Sequence, residues 1–283
     1  MTNWTHLIRF RAVEDGQVHL GQLVDTSRDV GIDCLNGVEV KAFLINGDVF
    51  NGTVTQNIFT VDHSAESSAI TSGASGLTTE ITLRKEDFRF LTSLKFSQSL
   101  GSHSQAHIRQ QSPSHDAPQD GTSDYEAELC VIIGKTGRDI PEDRALEYVL
   151  GYTASNDVSA RTLQLAVKQW SFSKGLDNSC PIGPVLVSPS VIDDPQTLGV
   201  KAIYNGQTVQ DGNTKNMIFS VRKQISSLSR GTTLEAGTVV LTGTPAGIGY
   251  FHKPRVSLEA GSQIEIQIEK IGTLVNKVKY DVI

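Results

Sequence analysis

Two glutamates, Glu126 and Glu128, stand at the start of an apolar run that extends to residue 133. A strand over residues 125–133 would place both carboxylates on one face, about 7 Å apart, and the same face would continue into Cys130 and Ile132. Two anions at the mouth of an apolar face repel each other and resist desolvation, and a hard divalent cation would relieve both effects. A solvated strand face is the alternative interpretation.

A third acid, Asp157, lies downstream in a polar segment. A helix that begins near Asp157 would carry the next polar side chains on one face: Arg161, Gln164 and Lys168. An arginine and an amide in this arrangement could hold the carboxylate of a metal-bound substrate. An exposed polar face is the alternative, and for Lys168 we prefer it. Ligands that offer only oxygen favour Mg²⁺ or Mn²⁺, with Ca²⁺ as a further candidate, over zinc.

A glycine-rich turn follows the strand predicted over residues 238–241 and extends from residue 242 to 249. Its glycine spacing does not match a dinucleotide-binding loop, and no helix is predicted after it. Two interpretations stay open. Either the backbone N–H groups and the Thr244 hydroxyl face an anionic substrate, or the turn is purely structural. A polar cluster at residues 174–177 precedes a second shaped turn at residues 180–184, which contains Cys180 and two prolines.

The elements that position these residues fall into three regions. Residues 1–61 read as a small β module with strands at 6–10, 18–24, 38–44 and 52–59. Residues 62–121 are rich in Ser, Gln and His, and we interpret much of this segment as loop or disorder. Residues 122–283 form the predicted catalytic domain, with strands at 125–133, 238–241, 256–258 and 263–269, a hairpin at 200–210, and helices at 141–150 and 217–228. Strands outnumber helices without strict alternation, so we predict a β-rich α+β fold.

The composition limits the classes of partner. The chain has 283 residues, 38% hydrophobic and 20% charged, and its net charge of −6 argues against nucleic acid as a partner. The sequence lacks the roughly 20 consecutive apolar residues that a membrane span requires. Three scattered cysteines and no secretory signal predict free thiols in a cytosolic protein, with a mitochondrial location not excluded.

Five sequence blocks, in this order, resemble the fumarylacetoacetate hydrolase family over about residues 122–280. They are residues 125–128, residues 156–161 with Gln164, and residues 174–177, 181–184 and 243–247. The first 60 residues are similar to the small β module that often precedes this domain. The resemblance implies a β-rich roll that forms a homodimer and acts on small 2-oxo acids or 1,3-dicarbonyl acids.

The resemblance also implies roles for individual residues. It implies three metal ligands: Glu126, Glu128 and Asp157. It implies four further groups around the substrate or the metal: Arg161, Gln164, Thr244 and Lys174. Arg161, Gln164 and Thr244 are predicted to contact the substrate, and Lys174 is predicted to be catalytic, where its charge would help to hold the charge that develops in the reaction.

The family's Gly-x-Asn-Tyr-x-x-His segment, whose histidine serves as the base that activates water, is not found upstream of Glu126. The Ser/Gln/His-rich segment takes its place, either as a functional lid or as the product of an altered transcript. It contains three histidines to which no role is assigned: His103, His107 and His115.

Three activities therefore stay open. The leading hypothesis is metal-dependent hydrolysis of a carbon–carbon bond in an acylpyruvate-type acid. The second is a 2-oxo acid (oxaloacetate) decarboxylase, tautomerase or isomerase, which requires no attacking water. The third is a metal-binding relative with impaired catalysis.

Overall fold

The computed structural model describes residues 3–62, 89–91, 123–166, 168, 170–174 and 179–278. Its first part contains four antiparallel strands and one short helix: β1 (His6–Arg11), β2 (Val18–Leu23), α1 (Val30–Leu35), β3 (Lys41–Asn46) and β4 (Thr53–Thr60). All four strands overlap those predicted from the sequence. The three histidines of the Ser/Gln/His-rich segment lie outside the described residues. The expectation of loop or disorder there also lies outside them, except at Arg89–Leu91, which form a strand.

The rest of the described chain is also dominated by strands. They are β5 (Arg89–Leu91), β6 (Ser123–Asp124), β7 (Ala127–Ile133), β8 (Gly137–Arg138), β9 (Val149–Asn156), β10 (Ser159–Ala160), β11 (Ile182–Val187), β12 (Gly199–Tyr204), β13 (Gln207–Asn213), β14 (Thr233–Leu234), β15 (Thr238–Leu241), β16 (Gln263–Ile268) and β17 (Gly272–Lys277). The helices are α2 (Arg161–Ala166), α3 (Ser171–Lys174) and α4 (Val221–Ser229), with 3₁₀ turns at Glu142–Tyr148, Thr214–Asn216 and Gly249–Phe251. The prediction of a β-rich α+β fold is confirmed.

Nine strands form one large sheet in the order β4-β3-β2-β1-β11-β9-β7-β15-β5. Its pairs are antiparallel except for β5 and β15, which run parallel. A four-stranded sheet has the order β13-β12-β16-β17, and two short pairs, β10-β6 and β14-β8, complete the described strands. Since β1 pairs with β11, the strands of the predicted N-terminal module continue the same sheet as the C-terminal region. The domain boundaries at residues 61 and 121 remain predictions.

Strand β7 separates two apolar cores. Leu129, Val131 and Ile133 pack into the larger core, which includes residues of the four-stranded sheet and of α4. Cys130 and Ile132 point to the other side, into a smaller core with Trp4 and other apolar residues. This alternation is the one predicted from the sequence. The face of β7 that carries Glu128 therefore continues into the smaller apolar core.

The helix predicted to begin near Pro141 and to include Val149 and Leu150 is wrong in its second half. A 3₁₀ turn ends at Tyr148, and Val149 begins β9, with Gly151 inside the strand rather than after a helix. The strand is buried over nearly its whole length. A short apolar run that is buried on both sides has no period that distinguishes a strand from a helix.

The helix predicted to begin near Asp157 begins four residues later, at Arg161. The N–H groups of Asp157 and Val158 instead donate to the carbonyls of Glu126 and Ser179, both at 2.9 Å, and this holds the chain extended. Asp157 therefore does not share a helical face with Arg161 and Gln164. Lys168 is exposed, as its preferred interpretation requires.

Two smaller corrections concern the C-terminal region. The helix predicted from residue 217 begins at Val221, because the Ser220 hydroxyl caps it by accepting from the N–H of Lys223 at 3.1 Å. Residues 256–258 are not a strand. The N–H groups of Val256 and Leu258 donate to the single carbonyls of Gly249 and Ser123, at 3.0 and 2.8 Å. The predicted hairpin at Asn205-Gly206 is confirmed, with both residues at positive φ.

Among the described residues, no helix has the length and apolar character needed to cross a membrane.

Candidate metal centre

The pairing of β7 with β9 brings the three predicted acids together. Ala127 lies opposite Asn156 and Glu128 opposite Ser155, so Asp157 comes next to Glu126 just beyond the paired region. Two backbone contacts hold this end of the pair. The Asn156 side-chain oxygen accepts from the N–H of Glu126 at 3.0 Å, and the N–H of Asp157 donates to the Glu126 carbonyl. Oxygens of the three carboxylates lie within 4.8 Å of one another.

These carboxylates are buried, with exposures of 7% for Glu126, 3% for Glu128 and 6% for Asp157. Burial, together with the charges of Asp157 and Glu126, raises the pKa of Glu128 well above its ordinary value. Burial also raises the pKa of Asp157. Oδ1 of Asp157 is buried and has no hydrogen-bond partner in the described part of the chain. An unpartnered acceptor inside a cluster of acids fits the ligand of a cation.

Lys174, at the end of α3, supplies one positive charge. Its Nζ lies 2.8 Å from Oε2 of Glu126 and also contacts Oδ2 of Asp157. Burial alone would lower the pKa of Lys174, but Asp157 and Glu126 raise it above its ordinary value, so the side chain remains an ammonium. The structure thus brings the predicted catalytic lysine to the cluster. Its neighbours at residues 175–177 lie outside the described residues.

Arg161 supplies the second positive charge. Its Nη1 lies 2.8 Å from Oε1 of Glu126 and donates to Oε1 of Gln164 at 2.9 Å. On its other side, Nε donates to Oδ2 of Asp124 at 2.9 Å, and Nη2 is 2.8 Å from the same oxygen. Arg161 and Gln164 are therefore at the site, and the guanidinium is engaged by carboxylates of the chain itself. Their role in contacting a substrate stays a prediction.

Sequence reasoning missed Asp124, although it stands two residues before Glu126 and continues the same alternation of acids. With Asp124 included, four carboxyl groups face two cations, Lys174 and Arg161, so the fully ionised cluster would carry an excess of two negative charges. An uncompensated charge of this size is strongly disfavoured in a buried site. A divalent cation would balance it, and hard oxygen donors suit Mg²⁺ or Mn²⁺. The residues present therefore fit the predicted metal.

The turn after β15 forms one wall of the site. The N–H of Gly243 donates to Oε2 of Glu128 at 2.7 Å, which a positive φ at Gly243 permits. The Thr244 hydroxyl donates to the carbonyl of Ala127 at 3.0 Å and accepts from Nε2 of Gln210 at 2.8 Å. Thr244 is thus placed at the site by scaffold contacts. Gln210 was also missed, because it lies on β13, in the other sheet.

Comparisons with known proteins place the chain among its relatives. Residues 86–279 match the fumarylacetoacetate (FAA) hydrolase C-terminal family. Caffeoylpyruvate hydrolase of Neonothopanus nambi is 36% identical over 293 residues, which cover 98% of this chain and 94% of that protein. Oxaloacetate tautomerase YisK of Bacillus subtilis (strain 168) is 47% identical over 155 residues, which cover 55% of this chain and only 52% of that protein.

A solved structure is also similar. Maleylpyruvate hydrolase from Sphingobium sp. SYK-6, in complex with manganese (II) ion and pyruvate, aligns with a TM-score of 0.50 and 30% identity. The alignment covers 57% of this chain and 56% of that chain. The relatives thus include hydrolases of acylpyruvates and a tautomerase of oxaloacetate. Because the family match covers more than half of the chain, the chain belongs to the fumarylacetoacetate hydrolase family.

Proposed function

We propose that this protein is a metal-dependent enzyme that hydrolyses a carbon–carbon bond in an acylpyruvate-type 1,3-dicarbonyl 2-oxo acid. The observation that carries the proposal is the buried cluster of Glu126, Glu128 and Asp157, with its net negative charge and its unpartnered oxygen. The caffeoylpyruvate hydrolase, which matches nearly the whole chain, supports this class of substrate.

Glu126, Glu128 and Asp157 would hold Mg²⁺ or Mn²⁺, with Ca²⁺ as a third candidate. When bound, such an ion supplies a Lewis acid that polarises the oxygens of a 2-oxo acid and favours negative charge on them. The relative that was solved with manganese (II) ion and pyruvate supports this pairing of ion and substrate type.

The chain's own residues have separate tasks in this proposal. Lys174, fixed as an ammonium beside two of the acids, stabilises negative charge that develops on the substrate. Arg161, which donates to Gln164, orients Glu126, and both Arg161 and Gln164 contact the substrate carboxylate. Thr244 belongs to the turn that forms one wall of the site. Hydrolysis adds water to the remote acyl carbonyl, breaks the adjacent carbon–carbon bond, and yields a carboxylic acid and the enolate of a 2-oxo acid, which then takes up a proton. The base that activates water is unassigned.

A tautomerase or decarboxylase of oxaloacetate is the second candidate. The observation that favours it is the 47% identity to oxaloacetate tautomerase YisK over 155 residues. These reactions use the same stabilisation of negative charge and require no attacking water. A catalytically impaired family member is the third candidate.

Purified protein assayed with Mn²⁺ against acetylpyruvate and oxaloacetate separates the candidates. We expect acetylpyruvate to yield acetate and pyruvate in stoichiometric amounts, and Glu126→Gln to abolish this turnover. Glu39→Gln, at an exposed acid, is the matched control and should retain it. Turnover of oxaloacetate alone would overturn the hydrolase proposal in favour of the second candidate. Turnover of neither acid would favour the third. The homodimer and the cytosolic location remain predictions from the sequence.

A further inference from the structure

Asp124 is a buried carboxylate whose two oxygens are fully engaged. Asp124 is 2% exposed. Oδ1 accepts from the N–H groups of Tyr125 at 2.9 Å and Gly249 at 2.7 Å. Oδ2 accepts from the N–H of Tyr250 at 3.0 Å and from Nε of Arg161 at 2.9 Å, and it forms the ion pair with Nη2. A carboxylate with this many donors is held in one orientation.

The first arm of this network leads to the metal centre through Arg161. The pairing of β6 with β10 sets Asp124 opposite Ser159, two residues before Arg161. The planar guanidinium then spans from Asp124 on one side to Oε1 of Glu126 on the other. Asp124, Arg161 and Glu126 therefore form a continuous chain of ion pairs, so the orientation of Glu126 depends on that of Arg161.

The second arm leads to the turn that follows β15. Gly249 and Tyr250 end this turn, and both donate their N–H groups to Asp124. A side chain at residue 249 would collide with Asp124 Oδ1 and with the carbonyl of Val256, so the close approach requires glycine. The start of the same turn, Gly243, donates to Glu128. Asp124 thus anchors the far end of the segment whose near end contacts a second acid.

We propose that Asp124 is a positioning residue of the metal centre, which acts on Glu126 through Arg161 and on the turn at residues 242–249 through Gly249 and Tyr250. The proposal rests on the proposed metal-dependent function. Asp124 offsets the charge of Arg161, so the guanidinium can orient Glu126 without neutralising the cluster. Without that carboxylate, Arg161 would pair more closely with Glu126 and compete with the metal for it.

Calorimetric titration of the chelator-treated, full-length protein with Mn²⁺ tests the proposal. We expect Asp124→Asn to weaken Mn²⁺ binding by about 10- to 100-fold, because an amide cannot accept from all the donors. Arg161→Lys keeps the positive charge but loses the planar guanidinium that contacts Asp124 and Glu126 at once. This variant should weaken Mn²⁺ binding by roughly tenfold or more. The double variant should bind no more weakly than the weaker of the two, since both changes break one chain of contacts.

Asp29→Asn is the matched control for a purely structural effect. Asp29 is also a carboxylate that accepts from several N–H groups and joins two distant segments, but it lies at α1 and β17. We expect this variant to lower the melting temperature and to bind Mn²⁺ as the wild type does.

Wild-type Mn²⁺ affinity in folded Asp124→Asn, or independent and multiplicative losses in the double variant, would overturn the proposal. If Asp124→Asn does not fold, the Mn²⁺ affinity of Arg161→Lys is the test. Wild-type affinity in that variant would also overturn the proposal. Binding is measured without substrate, so a failure of the proposed reaction shows itself separately, as no turnover by a wild type that binds Mn²⁺.

Discussion

Glu128 is a carboxyl group whose ionised form the protein has few groups of its own to stabilise. It is 3% exposed, and the N–H of Gly243 donates to one of its oxygens. Burial comes first among the causes that raise its pKa, followed by the negative charges of Asp157 and Glu126. Replacement by glutamine would keep the volume and remove a repulsive charge. The effects on stability and on metal binding should therefore have opposite signs.

We expect Glu128→Gln to melt at the same temperature as the metal-free wild type or above it. The rise in melting temperature that saturating Mn²⁺ gives the wild type should be largely lost. Thermal unfolding with Mn²⁺ and with chelator measures both quantities, and the exposed Glu39→Gln is again the control. A Mn²⁺-dependent rise as large as that of the wild type would show that Glu128 is not a ligand.

The raised pKa of Glu128 also predicts how stability depends on pH. In the metal-free folded protein, Glu128 keeps its proton to a higher pH than in the unfolded chain, where the pKa is near its ordinary value of 4.5. The folded state therefore binds more protons over this window, and the free energy of unfolding falls as pH rises through it. Asp157, whose pKa is also raised, adds to the effect in the same direction.

Metal binding should show the reverse trend, because the cation displaces these protons. We expect the gap in melting temperature between Mn²⁺-saturated and metal-free protein to be wider at pH 8 than at pH 5.5. Paired melting curves at the two pH values measure it. A gap that is constant or narrower at pH 8 would contradict the assignment of raised pKa values to the ligands.

Strand β7 shows how far the sequence predicts the site. Its period of two correctly placed Glu128, Cys130 and Ile132 on one face. The register of β7 against β9 brings Asp157 beside Glu126. This register is a long-range property, so it cannot be predicted from the local sequence pattern. The family resemblance supplied what local pattern could not.

The residues missed from the sequence share a physical reason. Asp124 and Gln210 act across elements that are distant in the chain. Asp124 continues the alternation of acids, but that pattern does not reveal its long-range contacts, and Gln210 forms no local motif. The misplaced helices have a different cause. β9 is buried on both sides, and the N–H groups of Asp157 and Val158 find partners on neighbouring segments, so tertiary contacts decided the local structure.

Gln210 links the two sheets at the site, and its replacement tests that link. It is 1% exposed, its Oε1 accepts from the N–H of Ala127 at 3.0 Å, and its Nε2 donates to Thr244 and to the carbonyl of Pro245. We expect Gln210→Met to lower the free energy of unfolding by about 2 kcal/mol or more, because it leaves buried groups unsatisfied. Urea denaturation measures this loss.

Gln207→Met, at an exposed position on the same strand, is the matched control for the change of side chain. It should remain close to the wild type in stability. Equal losses in the two variants would mean that the contacts of Gln210 add nothing beyond the properties of the strand.

At the scale of the whole molecule, the four strands before residue 61 share one sheet with five of the later described strands: β5, β7, β9, β11 and β15. β1 joins them by pairing with β11, and α1 packs against β17. Asp29 fastens this contact, since it caps α1 and also accepts from the N–H and hydroxyl of Thr273 at 2.9 and 2.6 Å. We therefore expect the two regions to unfold together, whatever the boundaries of their domains.

Gly31→Ala tests this cooperativity, because a methyl group there would overlap the carbonyl oxygen of Thr273. We expect the melting temperature to fall by roughly 10 °C or more, because the overlap is with a backbone atom that cannot move aside as a flexible side chain would. The variant is made in a Trp170→Phe background, because Trp170 would otherwise add to the fluorescence of the buried Trp4. Trp4 fluorescence and far-UV circular dichroism should then report the same midpoint. Gly199→Ala, whose added carbon has no neighbour nearer than 3.5 Å, should change little. If fluorescence changed at a lower temperature than circular dichroism, the N-terminal strands would unfold as a separate unit, contrary to this expectation.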